Sequence, residues 1–308
     1  MAGLLMAMCA CGGGGGVTVT GGDLSGNKAA PGPTSGNWLL TLKSQVNPNS
    51  TTDAAIGGAL TSSGETASMT TTYAGRCLPI HPPIAFSGAV SGNDITLTSP
   101  SVQGSIMTIT GTSYYGTNID GTYKMTGGNG LCKGDKGTVA GVLLPAIDGD
   151  WTGTVIEVPY PLPDDPYIIP NAVGISASFV EGTADSNGNF PISGKLQFSS
   201  TSCITTSPLD LDNTKSYISG STVHLVVTPD ASSTVSFNGT LTNLHTAEGI
   251  SIGYSVSGGV CSGFYSSSGT LTKVCIDPTT GGACCIDPVT GLACLPPANR
   301  SAGTQTKF

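Results

Sequence analysis

The sequence predicts an all-β protein: two tandem antiparallel up-and-down units of about eight strands each, closed as barrels or stacked as sandwiches. Three observations predict it. Short segments alternate apolar and polar residues, as in Ile95-Thr96-Leu97-Thr98, Val235-Ser236-Phe237 and Ile250-Ser251-Ile252-Gly253-Tyr254. A period of two buries one face of a strand and wets the other. Turn-forming clusters such as Ser91-Gly92-Asn93-Asp94, Ser186-Asn187-Gly188-Asn189 and Ser219-Gly220-Ser221 punctuate the chain at the ~8–12-residue spacing of an all-β domain. Finally, one ordered set of landmarks occurs twice, and no stretch carries a helical period.

The landmarks define a duplication. Gly36-Asn37-Trp38 opens one copy and Gly149-Asp150-Trp151 the other, and these hold the only two Trp residues of the chain. Cys77 and Cys203 follow, with the Pro-rich stretch 158–170 reading as a loop inserted in the second copy. Ile95-Thr96-Leu97 then matches Val223-His224-Leu225, and Ile109-Thr110-Gly111-Thr112 matches Phe237-Asn238-Gly239-Thr240. Gly121-Thr122-Tyr123 matches Gly253-Tyr254, Cys132 matches Cys261, and Gly137-Thr138-Val139 matches Gly269-Thr270-Leu271. In the first copy the strands are expected near residues 36–43, 55–62, 66–73, 83–91, 94–99, 104–112, 119–126 and 136–144. The chain therefore divides into residues 1–11, a flexible Gly/Ser/Pro linker over 12–35, β-domains over 36–145 and 146–274, and a Cys-rich tail over 275–308.

Composition restricts function. Among 308 residues there are 11 Lys+Arg and 19 Asp+Glu, a net charge of −8 and a charged fraction of 10%. So few basic residues exclude a generic nucleic-acid binder, whose affinity rests on Lys and Arg at phosphates. No apolar run reaches the ~18 residues of a membrane-spanning helix.

The ten cysteines fall into groups. Cys77 with Cys132, and Cys203 with Cys261, occupy the same positions of the two copies, which suggests one disulfide per domain, worth roughly 4 kcal/mol each in the chain-entropy model. The tail is a tandem decapeptide: Cys275-Ile-Asp-Pro-Thr-Thr-Gly-Gly-Ala-Cys284 runs directly into Cys285-Ile-Asp-Pro-Val-Thr-Gly-Leu-Ala-Cys294. Asp-Pro-x-Thr-Gly is turn chemistry. Each unit could close on itself, but four cysteines allow three connectivities and the sequence does not choose among them. Their spacing fits a structural zinc site poorly, since such sites use Cys pairs two to four residues apart.

Catalytic chemistry is not visible. His81 sits among prolines, His224 lies outward between Val223 and Leu225, and His245 is in a turn-like Asn-Leu-His-Thr. None has a nucleophile or acid at a recognisable spacing. No nucleophile elbow, zinc-helix motif or phosphate loop is present. Asp185-Ser-Asn187-Gly-Asn189 and Asp210-Leu-Asp212-Asn213 present oxygen ligands, but the calcium-loop Gly and closing Glu are missing, so both read as turns. Lys133-Gly134-Asp135-Lys136 contains a Lys-Gly-Asp like that of adhesion tripeptides, but reads as a charged turn. The aromatics Tyr114-Tyr115, Tyr160, Tyr167 and Phe264-Tyr265 either pack over the barrel ends, the plainer reading, or form low-entropy contact surfaces for proteins or sugars. No cofactor or metal is expected.

Two resemblances add to this. Leu4 to Met8, followed by Ala10-Cys11 and Gly12 to Gly16, resembles the end of a bacterial lipoprotein signal, and the whole resembles Gly/Ser/Thr-rich repeat lipoproteins. That implies lipidation at Cys11, export, an outer-membrane or cell-surface location, and a membrane as partner. Gly36-Asn37-Trp38 with Gly121-Thr122-Tyr123 resembles lipocalin-like and avidin-like (calycin) barrels. That resemblance implies a Trp plugging one barrel end and a ligand at the other, with Trp38, Trp151, Tyr123 and Tyr254 as ligand contacts. The function expected is non-enzymatic: binding, adhesion or an envelope-structural role toward a protein or glycan, with carriage of a small apolar ligand as the alternative.

Overall fold

A computed structural model describes residues 32–46, 54–73, 83–128, 133–158, 171–199, 204, 207–246, 248–259, 262–263, 265–276, 283–286 and 293–294. Eight strands, β1 (Gly36–Ser44), β2 (Ala54–Ser63), β3 (Thr66–Tyr73), β4 (Ile84–Ser91), β5 (Asp94–Thr98), β6 (Ser105–Tyr114), β7 (Asn118–Gly127) and β8 (Lys136–Leu143), pair in sequence and close through β1–β8 into an antiparallel barrel. The second barrel is formed by β9 (Gly149–Val158), β10 (Asn171–Glu181), β11 (Phe190–Phe198), β13 (Tyr217–Ser219), β14 (Thr222–Asp230), β15 (Ser233–Leu241), β16 (Gly249–Ser257) and β17 (Tyr265–Lys273). It closes through the β10–β11 and β9–β17 pairings, while the short β12 (Leu209–Asp210) adds to β11 beside β13. The two-barrel, all-β expectation is borne out, and the alternative of stacked sheets is not what forms.

Alternation does the folding work. In β4 the burial pattern runs buried–exposed along Ile84, Phe86 and Val90, and in β5 Ile95 and Leu97 point inward. Each barrel interior packs its own side chains: Trp38, Leu40, Leu42, Ile56, Met69 and Phe86 in the first, and Trp151, Phe179, Phe198, Leu225, Phe237 and Leu271 in the second. β1 departs from alternation, because Asn37, Trp38, Leu39 and Leu40 are all buried. The reason is the second barrel, which covers the outer face of β1: Leu39 belongs to the second barrel's core cluster, and Ala55, Ala59 and Val142 pack against it.

At that junction the Asn37 side chain acts as a surrogate strand. Its Nδ2 donates to Gly220 O at 3.0 Å, and Gly220 N donates to its Oδ1 at 2.7 Å. The backbones approach closely because both facing residues are glycines. A Cβ on Gly57 would lie 2.7 Å from the Gly220 Cα, and Gly220 adopts φ +55.

The copies share one detail no landmark predicted. Trp38 Nε1 donates to Thr34 O at 2.8 Å, and Trp151 Nε1 donates to Ile147 O at 2.9 Å, each four residues upstream. They also exchange bulk. Leu40 faces Gly141 across β1–β8, whereas Gly153 faces Leu271 across β9–β17. This register corrects the sequence alignment of the last strand: Leu42 opposes Val139 and Val155 opposes Gly269, so Gly269, and not Leu271, is the counterpart of Val139.

The connection between barrels is held by Glu181. Ile147 N donates to its Oε2 at 3.1 Å, and its own N donates to Asp148 Oδ1 at 2.6 Å. Burial pushes the Glu181 carboxyl up to about 7; the Asp148 charge adds to this, and the Ile147 bond and Lys273 oppose it. The folded state therefore binds a proton that the unfolded chain has released. Stability from this group is complete below pH ~4.5 and is lost as pH rises through 7. Glu181→Gln is expected to match the wild type near pH 4 and to exceed it by on the order of 1–2 kcal/mol at pH 8, after a discount for partial exposure. Denaturant unfolding across pH checks this; parallel pH profiles for the two proteins would refute it.

Candidate functional site

The calycin resemblance places a ligand at the barrel end opposite the Trp. That end is occupied in both copies by a buried carboxylate network. In the first barrel Tyr123 Oη donates to Asp135 Oδ2 at 2.9 Å, and Ser44 Oγ donates to Asp135 Oδ1 at 2.6 Å. In the second, Tyr254 Oη donates to Glu157 Oε1 at 2.9 Å. Burial, then the bond to Glu157 and its charge, push the Tyr254 hydroxyl well above its ordinary range. Ser44 and Glu157 hold the same place, six residues after their Trp, so the acid comes from the strand in one copy and from the β8 side in the other. Asp135 adds to the sequence reading: the charged turn forms with Lys133 and Lys136 exposed, but its Asp135 is buried and bonded inside the barrel. Trp38, Trp151, Tyr123 and Tyr254 are all core residues.

The other expected residues resolve as follows. His224 is half-buried on the outer wall, its Nδ1 2.9 Å from Asn238 Oδ1 and its ring 5.4 Å from that of Tyr217. Asp185 Oδ1 accepts from the backbone N–H groups of Asn187 and Asn189, closing the expected turn. Asp212 is held at about 2, chiefly by the Thr214 hydroxyl and then by Lys215, which forms an ion pair with it at 2.9 Å. Among the described residues no group of three His, Cys, Asp or Glu gathers as a metal site would require. His81, Tyr160, Tyr167, Phe264, Cys11, Cys77, Cys132, Cys203 and Cys261 lie outside the described residues. Cys275, Cys284, Cys285 and Cys294 lie in short strands of their own.

The surface feature that gathers chemistry is a groove where the barrels meet. Two adjoining hollows of about 460 and 310 Å³ share Asn118, Val142 and His245. One wall is the β6–β7 hairpin, whose Tyr114 and Tyr115 also line the larger hollow together with Thr41 and Asp120. The other wall is His245, from the β15–β16 loop of the second barrel, fixed by its backbone N–H donating to Asn243 Oδ1 at 3.1 Å. The groove thus takes residues from both copies. Tyr114 is 47% and Tyr115 88% exposed, so they do not pack over a barrel end, which corrects the plainer sequence reading.

Tyr115 is held there at a cost. Tyr115 (φ +55) and Gly116 (φ +74) are the central residues of a turn closed by Thr117 N donating to Tyr114 O at 3.1 Å. Positive φ at both is the I′ pattern that Asn-Gly satisfies without strain. A bulky residue there loses ~1–2 kcal/mol. The tip is anchored: Thr34 N donates to Gly116 O at 2.8 Å, and the carbonyl of the same Thr34 accepts from Trp38.

No protein-family model and no curated protein matches the chain. Among solved structures it is similar to a protein of unknown function from the DUF3598 family of Nostoc punctiforme, with 13% identity, 79% of this chain and 96% of that chain covered, and a TM-score of 0.26. It is also similar to the Myxococcus xanthus hemagglutinin in complex with a3,a6-mannopentaose, with 13% identity, 77% and 99% covered, and a TM-score of 0.19. At these values neither likeness bears on function. What the fold and the groove define is a tandem-barrel protein with a composite surface cleft.

Proposed function

We propose that this is a non-enzymatic surface-binding protein, exported and lipid-anchored at Cys11, whose inter-barrel groove takes a neutral glycan. The observation that carries the reading is Tyr115, an exposed aromatic ring kept at a strained turn position. Strain of this kind is retained where function needs it. Tyr faces offer rigid, amphipathic area with little entropy to lose. Thr41, Asn118, Asp120 and His245 supply hydroxyl, amide, carboxylate and imidazole partners around the rings. That set suits a polyol: apolar sugar faces against tyrosine, hydroxyls against the polar groups. The net charge of −8 disfavours acidic polymers.

Binding of the full-length protein to immobilised mannan, dextran and galactan tests the reading, with Tyr115→Asn as the paired variant. Asn fits the turn, so the variant is expected to be more stable by ~1 kcal/mol and to bind at least tenfold more weakly. Cys11→Ser is expected to release the exported protein from membranes. Equal affinity of Tyr115→Asn and wild type would sink the groove assignment.

A further inference from the structure

The tandem decapeptide takes no part in the groove, yet its backbone register separates the possible cysteine pairings. β18 (Cys275–Ile276), β19 (Ala283–Ile286) and β20 (Ala293–Cys294) form a three-stranded antiparallel sheet. The first half of β19 pairs with β18, placing Cys275 opposite Cys284 and Ile276 opposite Ala283. The second half pairs with β20, placing Cys285 opposite Cys294 and Ile286 opposite Ala293. Each cysteine position therefore faces the other cysteine of its own decapeptide. Directly opposed antiparallel residues have Cα atoms ~4.5–5.5 Å apart. That lies inside the ~4.4–6.8 Å range a disulfide spans.

Cys284 and Cys285 are successive positions of one strand, and successive positions belong to opposite faces of a sheet. Positions 275 and 284 share one face, and 285 and 294 share the other. Linking 284 to 285, or 275 to 285, crosses the sheet. The arrangement also lacks the Cys pairs two to four residues apart that structural zinc sites use. The tail begins where the second barrel ends: Val274 N donates to Asp150 O at 2.7 Å.

We propose that the tail is closed by two disulfides, Cys275–Cys284 and Cys285–Cys294, making two small rings joined back to back at the Cys284–Cys285 peptide bond. Each S–S bond forms as two thiol protons and two electrons pass to a disulfide oxidant of an oxidising compartment, a thiol oxidoreductase or a small-molecule disulfide, which is reduced to its dithiol or thiols. The inference is independent of the groove and of any ligand.

Stepwise reduction of the full-length protein, purified after export to an oxidising compartment, tests it. Thiols are first blocked with one alkylating reagent without reduction. Partial reduction is followed by a second reagent, and full reduction by a third. Trypsin then releases residues 274–300 as one peptide, since no Lys or Arg lies between Lys273 and Arg300. The expected peptide carries none of the first label, and its second label arrives in the pairs 275 with 284 or 285 with 294. Any other pairing overturns the proposal. So does first-reagent labelling of the tail, or co-purified zinc whose chelation exposes all four thiols.

Discussion

Trp38→Ala is expected to destabilise the chain by about 3–5 kcal/mol, the cost of emptying a large buried aromatic site. Trp38 is fully buried among Leu40, Leu42 and the rest of the first core, so no solvent reaches the vacated volume without rearrangement. The loss should not stop at packing. The Trp38 indole holds the Thr34 carbonyl, and the Thr34 N–H holds Gly116 at the tip of the hairpin that bears Tyr115. The groove rim should loosen with the core. Trp38→Phe separates the two effects: it keeps most of the packing and removes the N–H donor. Denaturant midpoints measure the first effect and glycan affinity the second. A loss under ~1 kcal/mol in Trp38→Ala would mean that the barrel does not depend on this plug.

Asn37→Ala should cost about 2–4 kcal/mol, large for an uncharged polar side chain. It removes two buried hydrogen bonds, and it strands the N–H and C=O of Gly220 where the second barrel presses on Gly57. Stranded buried groups lose their full solvation, which is why the effect exceeds that of an ordinary hydrogen bond. Because the lock joins the two barrels, the variant is also expected to lose cooperativity. A single unfolding transition should split into two, followed by calorimetry or by tryptophan fluorescence from Trp38 and Trp151 in single-Trp backgrounds. Retention of one sharp transition at the wild-type midpoint would show that the barrels are held by other contacts.

Much of the fold was legible because half the residues of a barrel strand face inward. The strand expected near 94–99 forms at Asp94–Thr98, and that near 66–73 forms at Thr66–Tyr73, each set by its alternation and its flanking turns. What the sequence hid were relations between distant segments. Lys133 and Lys136 are exposed as a charged turn predicts, and they disguised Asp135, whose partners Ser44 and Tyr123 come from other strands. The two-residue slip in aligning the last strand arose because a Gly-Thr-apolar triplet repeats locally, while the register is fixed by which partner leaves room for Leu271. The groove was half legible. Tyr114-Tyr115 stood out as a pair, but local composition does not encode exposure. His245 reaches them because the Asn37–Gly220 lock and the packing of Leu39 into the second core bring the second barrel alongside.

The exchange of bulk and acid between copies also bears on how the chain avoids misassembly. Tandem copies of one domain are prone to trade strands while folding. Here a traded first strand would fail at two points. β1 placed in the second barrel would set Leu40 against Leu271, and β9 placed in the first would set Gly153 against Gly141, one overfilled and one hollow. The same trade would bury Glu157 beside Asp135, two carboxylates in one apolar end, and would leave Tyr254 facing Ser44 in place of its acid. Each barrel therefore recognises its own opening strand by shape and by charge, so the pair can be similar in fold without being interchangeable in assembly.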